Sequence, residues 1–152
     1  MIELIIVLVI VSLVTVLVTP TVTKTLSQME LRGTSKKVSA ILRFCRSESV
    51  NRNKVYLASF NTSTNLLAVL SAGEEDESPS MEHSYPIPQG LKVEKVEVGQ
   101  ALFEMDFPSF EFYPNGGSNG GTAVIQRGRD LGFSIYVDAL TGTVKVQEER
   151  RR

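Results

Sequence analysis

Residues 2–20 of this 152-residue chain read IELIIVLVIVSLVTVLVTP, and this stretch decides how the rest of the chain is organised. Between residues 2 and 18 the only charged side chain is Glu3, and the only polar ones are Ser12 and Thr15. As a helix this run would rise roughly 25 Å, because each residue adds about 1.5 Å. That is slightly less than the hydrocarbon core of a bilayer, about 30 Å. A membrane segment is therefore predicted.

Glu3 indicates that this segment does more than anchor the chain. An acid inside a membrane segment costs on the order of 2.5–3.5 kcal/mol at the bilayer centre and less near its edge. Glu3 is therefore a candidate functional residue in need of a partner. A signal peptide and a plain anchor remain alternatives, although no basic residue precedes the run and no small-residue cleavage site follows it. Apolar side chains on every face disfavour a buried helix of a soluble core.

Charge is distributed unevenly along a chain whose net charge is only −1. Residues 24–54 carry eight basic and two acidic side chains, a net charge of +6, whereas residues 55–100 carry two basic and seven acidic ones, a net charge of −5. This asymmetry suits contacts between the two regions of neighbouring molecules, with two solvated faces as the alternative.

Composition and spacing argue against an enzyme. Cys45 is the only cysteine and His83 the only histidine, so neither an intrachain disulfide nor a zinc-type metal site is expected. The glycine-rich residues 115–121 lack the lysine and serine of a phosphate-binding loop. The acidic residues 74–77 lack the alternating spacing of calcium ligands. Since no paired nucleophile and base is visible either, we expect no catalytic residue, no metal and no cofactor.

The first 53 residues are predicted to form one long helix in two parts. Pro20 should end or kink the first part, because proline lacks an N–H group and clashes with the preceding turn. Residues 33–35, Gly-Thr-Ser, are a second point at which the helix is expected to be weak. Residues 51–53 suit a helix end. Between them, residues at helical spacing should pack on a sheet: Val38, Ile41, Leu42, Cys45 and Ser49.

Short antiparallel strands are predicted for the rest of the chain. The expected strands are residues 54–60, 66–71, 91–98, 101–107, 110–113, 122–127, 132–137 and 143–147. A slip in the apolar alternation of residues 91–98 predicts a bulge. Residues 73–82 should form a polar loop, and the prolines of residues 85–88 should place that segment at an edge or turn.

Together these elements predict an α+β fold, in which a long N-terminal helix packs on a head of antiparallel β-sheet. Residues 1–23 are assigned to the transmembrane helix, residues 24–53 to an amphipathic helix and residues 54–152 to the globular head. Several short strands leave open whether the head is one sheet or two packed sheets.

Three stretches of the sequence resemble the type IV pilin superfamily, specifically its GspH/FimT-type minor pseudopilins. In residues 2–20, Glu3 and Pro20 have the separation of a glutamate and a proline of mature pilins. Residues 44–57, FCRSESVNRNKVYL, are similar to the helix end of GspH-like proteins. Residues 110–121, FEFYPNGGSNGG, are similar to the family's phenylalanine-x-proline-x-glycine turn. The first stretch is typical of the superfamily, and the other two narrow the resemblance to the subgroup.

The resemblance implies a structural subunit of a type II secretion pseudopilus or a type IV pilus-like filament. Its helix would lie in the bacterial inner membrane, with the head in the periplasm, and would then enter the filament core at an inner-membrane assembly platform. Glu3 would pair with the N-terminal amine of a neighbouring subunit and set the register. Prepilin peptidase processing and N-methylation are implied as well, with Met1 aligned to the third mature position.

Two alternatives within this superfamily stay open. One is a major pilin or pseudopilin of the filament shaft. The other is a FimT-like minor pilin that binds DNA during uptake, for which the candidate contacts are Arg127, Arg129, Arg150, Arg151 and Arg152. FimT-like binders use a Gly-Arg-x-Arg element near the C-terminus, whereas residues 128–131 read GRDL and lack the second arginine.

We expect no DNA binding, because residues 128–131 depart from that element and two glutamates precede the arginine tail. The measurement is a mobility-shift titration of residues 28–152 on duplex DNA at low salt. A shift that weakens as salt rises would contradict this expectation and favour the uptake alternative, since phosphate contacts release counterions.

Overall fold

The computed structural model describes residues 2–72, 79–103, 105–128 and 131–150, except the side chains of residues 16–25 and 150. These residues form one helix, α1 (Ile2–Arg52), and eight strands. The strands are β1 (Tyr56–Asn61), β2 (Leu66–Ser71), β3 (Ser80–Pro86), β4 (Lys92–Val98), β5 (Ser109–Phe112), β6 (Gly121–Arg127), β7 (Leu131–Val137) and β8 (Val144–Arg150). The chain divides into two units, Met1–Glu30 and Leu31–Arg152.

The first unit is the N-terminal part of α1, and the side chains of residues 2–15 are exposed. The two hydroxyls of this stretch bond within the helix: Ser12 Oγ donates to the Val9 carbonyl and Thr15 Oγ1 to the Val11 carbonyl, both at 2.8 Å. Among the described residues, no helix has a stretch long and apolar enough to span a membrane.

The helix continues through Pro20, so the prediction that it could end there is wrong. A proline removes one donor but leaves the neighbouring hydrogen bonds of a long helix in place. The predicted kink at Pro20 stays a prediction. The predicted weak point at residues 33–35 is helical too, and there Ser35 Oγ donates to the Leu31 carbonyl at 2.9 Å.

In the second unit, the predicted stripe of α1 is confirmed as the buried face of the helix. Leu42, Cys45 and Ser49 have no exposed surface, and Val38 and Ile41 are also buried. The helix ends as predicted at asparagine: Asn53 has a φ of 53°, and the Lys54 amide donates to the Ser49 carbonyl at 3.3 Å. A left-handed residue and this backward hydrogen bond are typical of a helix C-terminus.

The strands form two four-stranded antiparallel sheets, which confirms the predicted α+β fold. The first sheet has the order β3-β2-β1-β5 and the second the order β4-β6-β7-β8. The predicted bulge in β4 is confirmed, since its register against β6 shifts between Val93 and Lys95.

One apolar core joins the stripe of α1 to side chains from both sheets. Its largest fully buried members are Tyr56, Phe60, Phe110 and Phe112 from the first sheet, and Ile125 and Ile135 from the second. Phe60 and Phe110 meet edge to face, with ring centroids 6.0 Å apart. Because helix and strand side chains belong to one buried cluster, removing the helix would expose part of that core.

Two segments differ from the sequence prediction. Residues 101–107 contain no strand among those described, because the segment packs Phe103 and Met105 against the outer face of the first sheet. Conversely, β3 begins at Ser80, inside the predicted polar loop. Its exposed side chains show no apolar alternation. β3 is the edge strand of the first sheet, and its pairing with β2 holds it in place.

Burial predicts that the only thiol of the chain is unreactive in the folded protein. Desolvation raises the pKa of Cys45 to about 12. We expect thiol reagents at pH 8 to label Cys45 at least about 100-fold more slowly than in the urea-unfolded chain, since the thiolate is the nucleophile. A Ser63→Cys variant, with its second thiol in an exposed turn, should label rapidly at that one position. Equally fast labelling of wild type would contradict burial.

Candidate assembly site

The predicted assembly residue Glu3 lies in the first turn of α1. An acid is favoured there by the helix dipole, whose positive end is the N-terminus. The first basic side chain in the sequence after Glu3 is Lys24, about 30 Å further along a continuous helix. No basic side chain of its own helix can therefore pair with Glu3 at contact distance.

Apolar side chains surround Glu3 on every side of the helix. Those between residues 2 and 14 are exposed by 52–74%. We call this surface, residues 2–15, the stem surface. A contiguous apolar surface of this extent marks a contact with lipid or protein, because isolated monomers rarely leave one in water. The stem surface is therefore the candidate assembly site of the chain.

The second and third family-like stretches meet in the head. Arg46 Nε donates to the Gly116 carbonyl at 3.2 Å, and Ser49 Oγ donates to the Tyr113 carbonyl at 3.2 Å. One turn earlier on the helix, Arg43 Nη2 donates to the Val144 carbonyl at 3.1 Å. These bonds attach the last turns of α1 to the glycine-rich segment and to the start of β8.

The glycine-rich residues 115–121 form a tight turn beneath the last hairpin. Gly116 has a φ of 85°, which favours glycine. A Cβ at Gly120 would lie 2.9 Å from that of Ala139, so a larger residue would push the two segments apart. Ser118 fixes the contact, since its amide donates to the Ala139 carbonyl at 2.8 Å. This geometry is that of a packed structural turn.

Glu111 is a buried structural residue of the head that the sequence analysis missed. Its side chain is fully buried, and its carboxylate accepts hydrogen bonds from the Leu102 and Phe103 amides at 2.8 Å and from the Tyr113 hydroxyl at 3.1 Å. Burial, followed by the nearby Glu111, raises the pKa of Tyr113 to about 12. The carboxylate therefore fixes residues 102–103 on the outer face of the first sheet.

Alternation in β5 could have singled out Glu111, as the acid between two core phenylalanines. The alternation places Glu111 on the face opposite to Phe110 and Phe112. That face is normally solvated in an antiparallel sheet. Here it is covered by a loop that the sequence analysis had assigned to a strand.

The described part of the head places two of the candidate nucleic-acid residues, Arg127 and Arg150, opposite the same residue, Leu131, on either side of β7. Arg127 ends β6 and its guanidinium packs against Gly90, where a Cβ would lie 3.0 Å from Nη2. Arg150 ends β8, with its side chain outside the described ones. Arg129, Arg151 and Arg152 lie outside the described residues, as do the acidic residues 74–77. Their proposed contacts stay predictions.

A helix stripe packed on two antiparallel four-stranded sheets is a type IV pilin-like fold of the GspH type, as the resemblance predicted. The minor pseudopilin EpsH from the type 2 secretion system of Vibrio cholerae has a similar structure, with a TM-score of 0.61 and 15% identity over 77% of this chain and 94% of EpsH. The type IV minor pilin FimU of Pseudomonas aeruginosa is also similar, with a TM-score of 0.56 and 16% identity over 81% of this chain and 90% of FimU. The sequence matches no protein-family model and no curated protein.

Removing the Glu111 carboxylate should destabilise the head. In Glu111→Ala the Leu102 and Phe103 amides and the Tyr113 hydroxyl lose their acceptor, so we expect the free energy of unfolding to fall by about 2–4 kcal/mol. Urea denaturation measures this change. The matched control is Glu97→Ala, an exposed carboxylate on β4, for which a change within about 0.5 kcal/mol is expected. Equal changes in the free energy of unfolding for the two substitutions would contradict a stabilising role of the Glu111 carboxylate.

Proposed function

We propose that this chain is a non-enzymatic subunit of a pilus-like or pseudopilus filament, and within that class a minor pseudopilin. The observation that carries the proposal is the stem surface. It is the exposed apolar surface of a helix whose chain also forms a GspH-type head. Both neighbours named above, a minor pseudopilin and a minor pilin, have this fold and support the proposal.

The stem surface needs an apolar environment both before and after assembly. Burial of apolar surface is worth roughly 25 cal/mol per Å², so a helix with apolar side chains on all faces gains several kcal/mol by leaving water. In this proposal the inner membrane supplies that environment first, with the head in the periplasm, and neighbouring helices in the filament core supply it later. Valine, isoleucine and leucine serve both environments, because lipid and packed helices exclude water equally well.

Glu3 then acts as the register element of assembly. In a dry helical core an unpaired carboxylate is costly by several kcal/mol, and a cation at hydrogen-bonding distance removes most of that cost. The N-terminal amine of a neighbouring subunit would meet Glu3 at only one axial offset. Subunits out of register would leave both charges buried and unpaired, so the pair would select a single packing.

The proposal is tested by Glu3→Ala and Glu3→Val in the full-length chain. Each substitution removes the charge and leaves the apolar run intact, so the membrane-bound fraction should equal that of wild type. Incorporation into sheared filaments should fall at least about 10-fold, in line with the loss of a buried ion pair. Immunoblots of membrane and filament fractions give both numbers.

Ser12→Ala is the matched control, since it removes a polar group from the same apolar run and keeps the acid. Its filament incorporation should equal that of wild type. Normal incorporation of both Glu3 variants would eliminate the register role. Absence of the wild-type chain from every filament fraction would eliminate the proposed function itself.

A further inference from the structure

Leu140 is the most exposed of the large apolar side chains described, with 90% of its surface in water. It lies in the turn between β7 and β8, at a position where turns usually carry glycine or a polar residue. The turn holds Leu140 firmly: Asp138 Oδ1 accepts from the Leu140 amide at 3.1 Å and from the Thr141 amide at 2.9 Å. The leucine is therefore presented on a fixed backbone.

The same turn is fastened to the rest of the head. Ser118 Oγ donates to the Asp138 carbonyl at 3.2 Å, and the Ser118 amide donates to the Ala139 carbonyl. On the other side, a Cβ at Gly142 would lie 3.0 Å from Arg46 of the helix. An apolar side chain on such a rigid support loses little conformational entropy when it docks, which favours binding.

The head also carries a groove that could receive an apolar side chain. It has a volume of about 320 Å³ and lies on the outer face of the first sheet. Apolar side chains provide most of its walls, and Asp106 provides a charge; the lining residues are Ser59, Asn61, Leu66, Ala68, Leu70, Met81, Met105, Asp106 and Phe107. Methionines adapt their shape to an inserted side chain, and Met81 is 63% exposed.

Leu140 does not occupy the groove of its own head. Strand β5 separates the two sites: Ser109 pairs with the groove residue Ser59, whereas Phe112 bridges to Ser118 beneath the turn. Three residue steps along a strand span about 10 Å. Since Leu140 is almost fully exposed and lies away from this groove, it can dock only into the groove of another molecule.

Charges around the two sites are complementary. Arg46 lies against the turn at Gly142, and Lys145 is close enough to Asp138 to help lower the pKa of that carboxyl, after the hydrogen bonds from Thr141 and Leu140. The groove instead carries Asp106, which has no ion-pair partner among the described residues. Opposite charges at the two edges would align two copies and disfavour contacts between like sites.

We propose that Leu140 of one copy docks into the groove of a second copy, with Asp106 facing Arg46 and Lys145 of the incoming turn. Because the projection and the groove lie at different places on one chain, the contact between the two copies is heterologous. This inference rests on the proposed function, because it adds a contact between heads to the proposed contact between helices.

Site-specific cross-linking of the full-length chain tests this contact. Copies with Leu140→Cys and differently tagged copies with Met81→Cys are co-purified from membranes in detergent and oxidised, and disulfide-linked pairs are counted on non-reducing gels. We expect at least about fivefold more pairs than with Lys95→Cys as the second partner, because docking raises the effective concentration of the two thiols. Lys95 is similarly exposed but lies on β4 of the second sheet. Cys45 is fully buried and adds no background.

A charge reversal provides a second test of the same contact. Asp106→Lys in the Met81→Cys copy should reduce cross-linking at least about threefold, since it places a cation opposite Arg46 and Lys145. Yields equal to those of the Lys95→Cys pair, in variants with wild-type far-UV circular dichroism, would overturn the proposal. Preferential linkage of Leu140→Cys to a different protein would overturn the second copy as the partner. Either failure leaves the stem surface and the Glu3 test untouched, so the proposed function is judged separately.

Discussion

The packing of one helix stripe against two sheets is the interaction on which the head depends. Each four-stranded sheet has one apolar inner face, and neither sheet can bury that face alone. The stripe from Leu31 to Ser49 covers both, and hydrogen bonds from Arg43, Arg46 and Ser49 to main-chain carbonyls fix its position. Because those carbonyls belong to turns and strand ends, the helix also orders the loops that the sheets leave free.

Periodicity made this part of the fold predictable from the sequence. The spacing of Val38, Ile41 and Leu42 shows a helix with one buried face, and asparagine at residue 53 marks its end. Strands with apolar alternation, such as β7, were predicted within a residue or two. The bulge in β4 was predicted as well, because an extra residue shifts the phase of the pattern.

Features that depend on non-local contacts could not be predicted in the same way. Strand β3 has no apolar alternation, and its extended form depends on β2 as a partner. Residues 101–107 alternate like a strand, but their amides at Leu102 and Phe103 bond to a carboxylate that lies beside them only in the folded head. The groove and the exposure of Leu140 are likewise products of packing. For the candidate assembly site, the sequence shows Glu3 and its apolar surroundings, whereas its partner belongs to another molecule.

Glu111 and Glu3 show two ways to keep an acid in an apolar setting. Glu111 sits among neutral donors of its own chain, and three hydrogen bonds satisfy its carboxylate without any cation. Glu3 lies in a helix whose amides are engaged in helical hydrogen bonds beyond the first turn, and no basic side chain follows for about 30 Å. An acid that its own chain cannot satisfy is either solvated or paired with a neighbour. Solvation of Glu3 would keep the first turn of the helix at a water boundary, so pairing is the state that lets this end of the helix be buried with the rest.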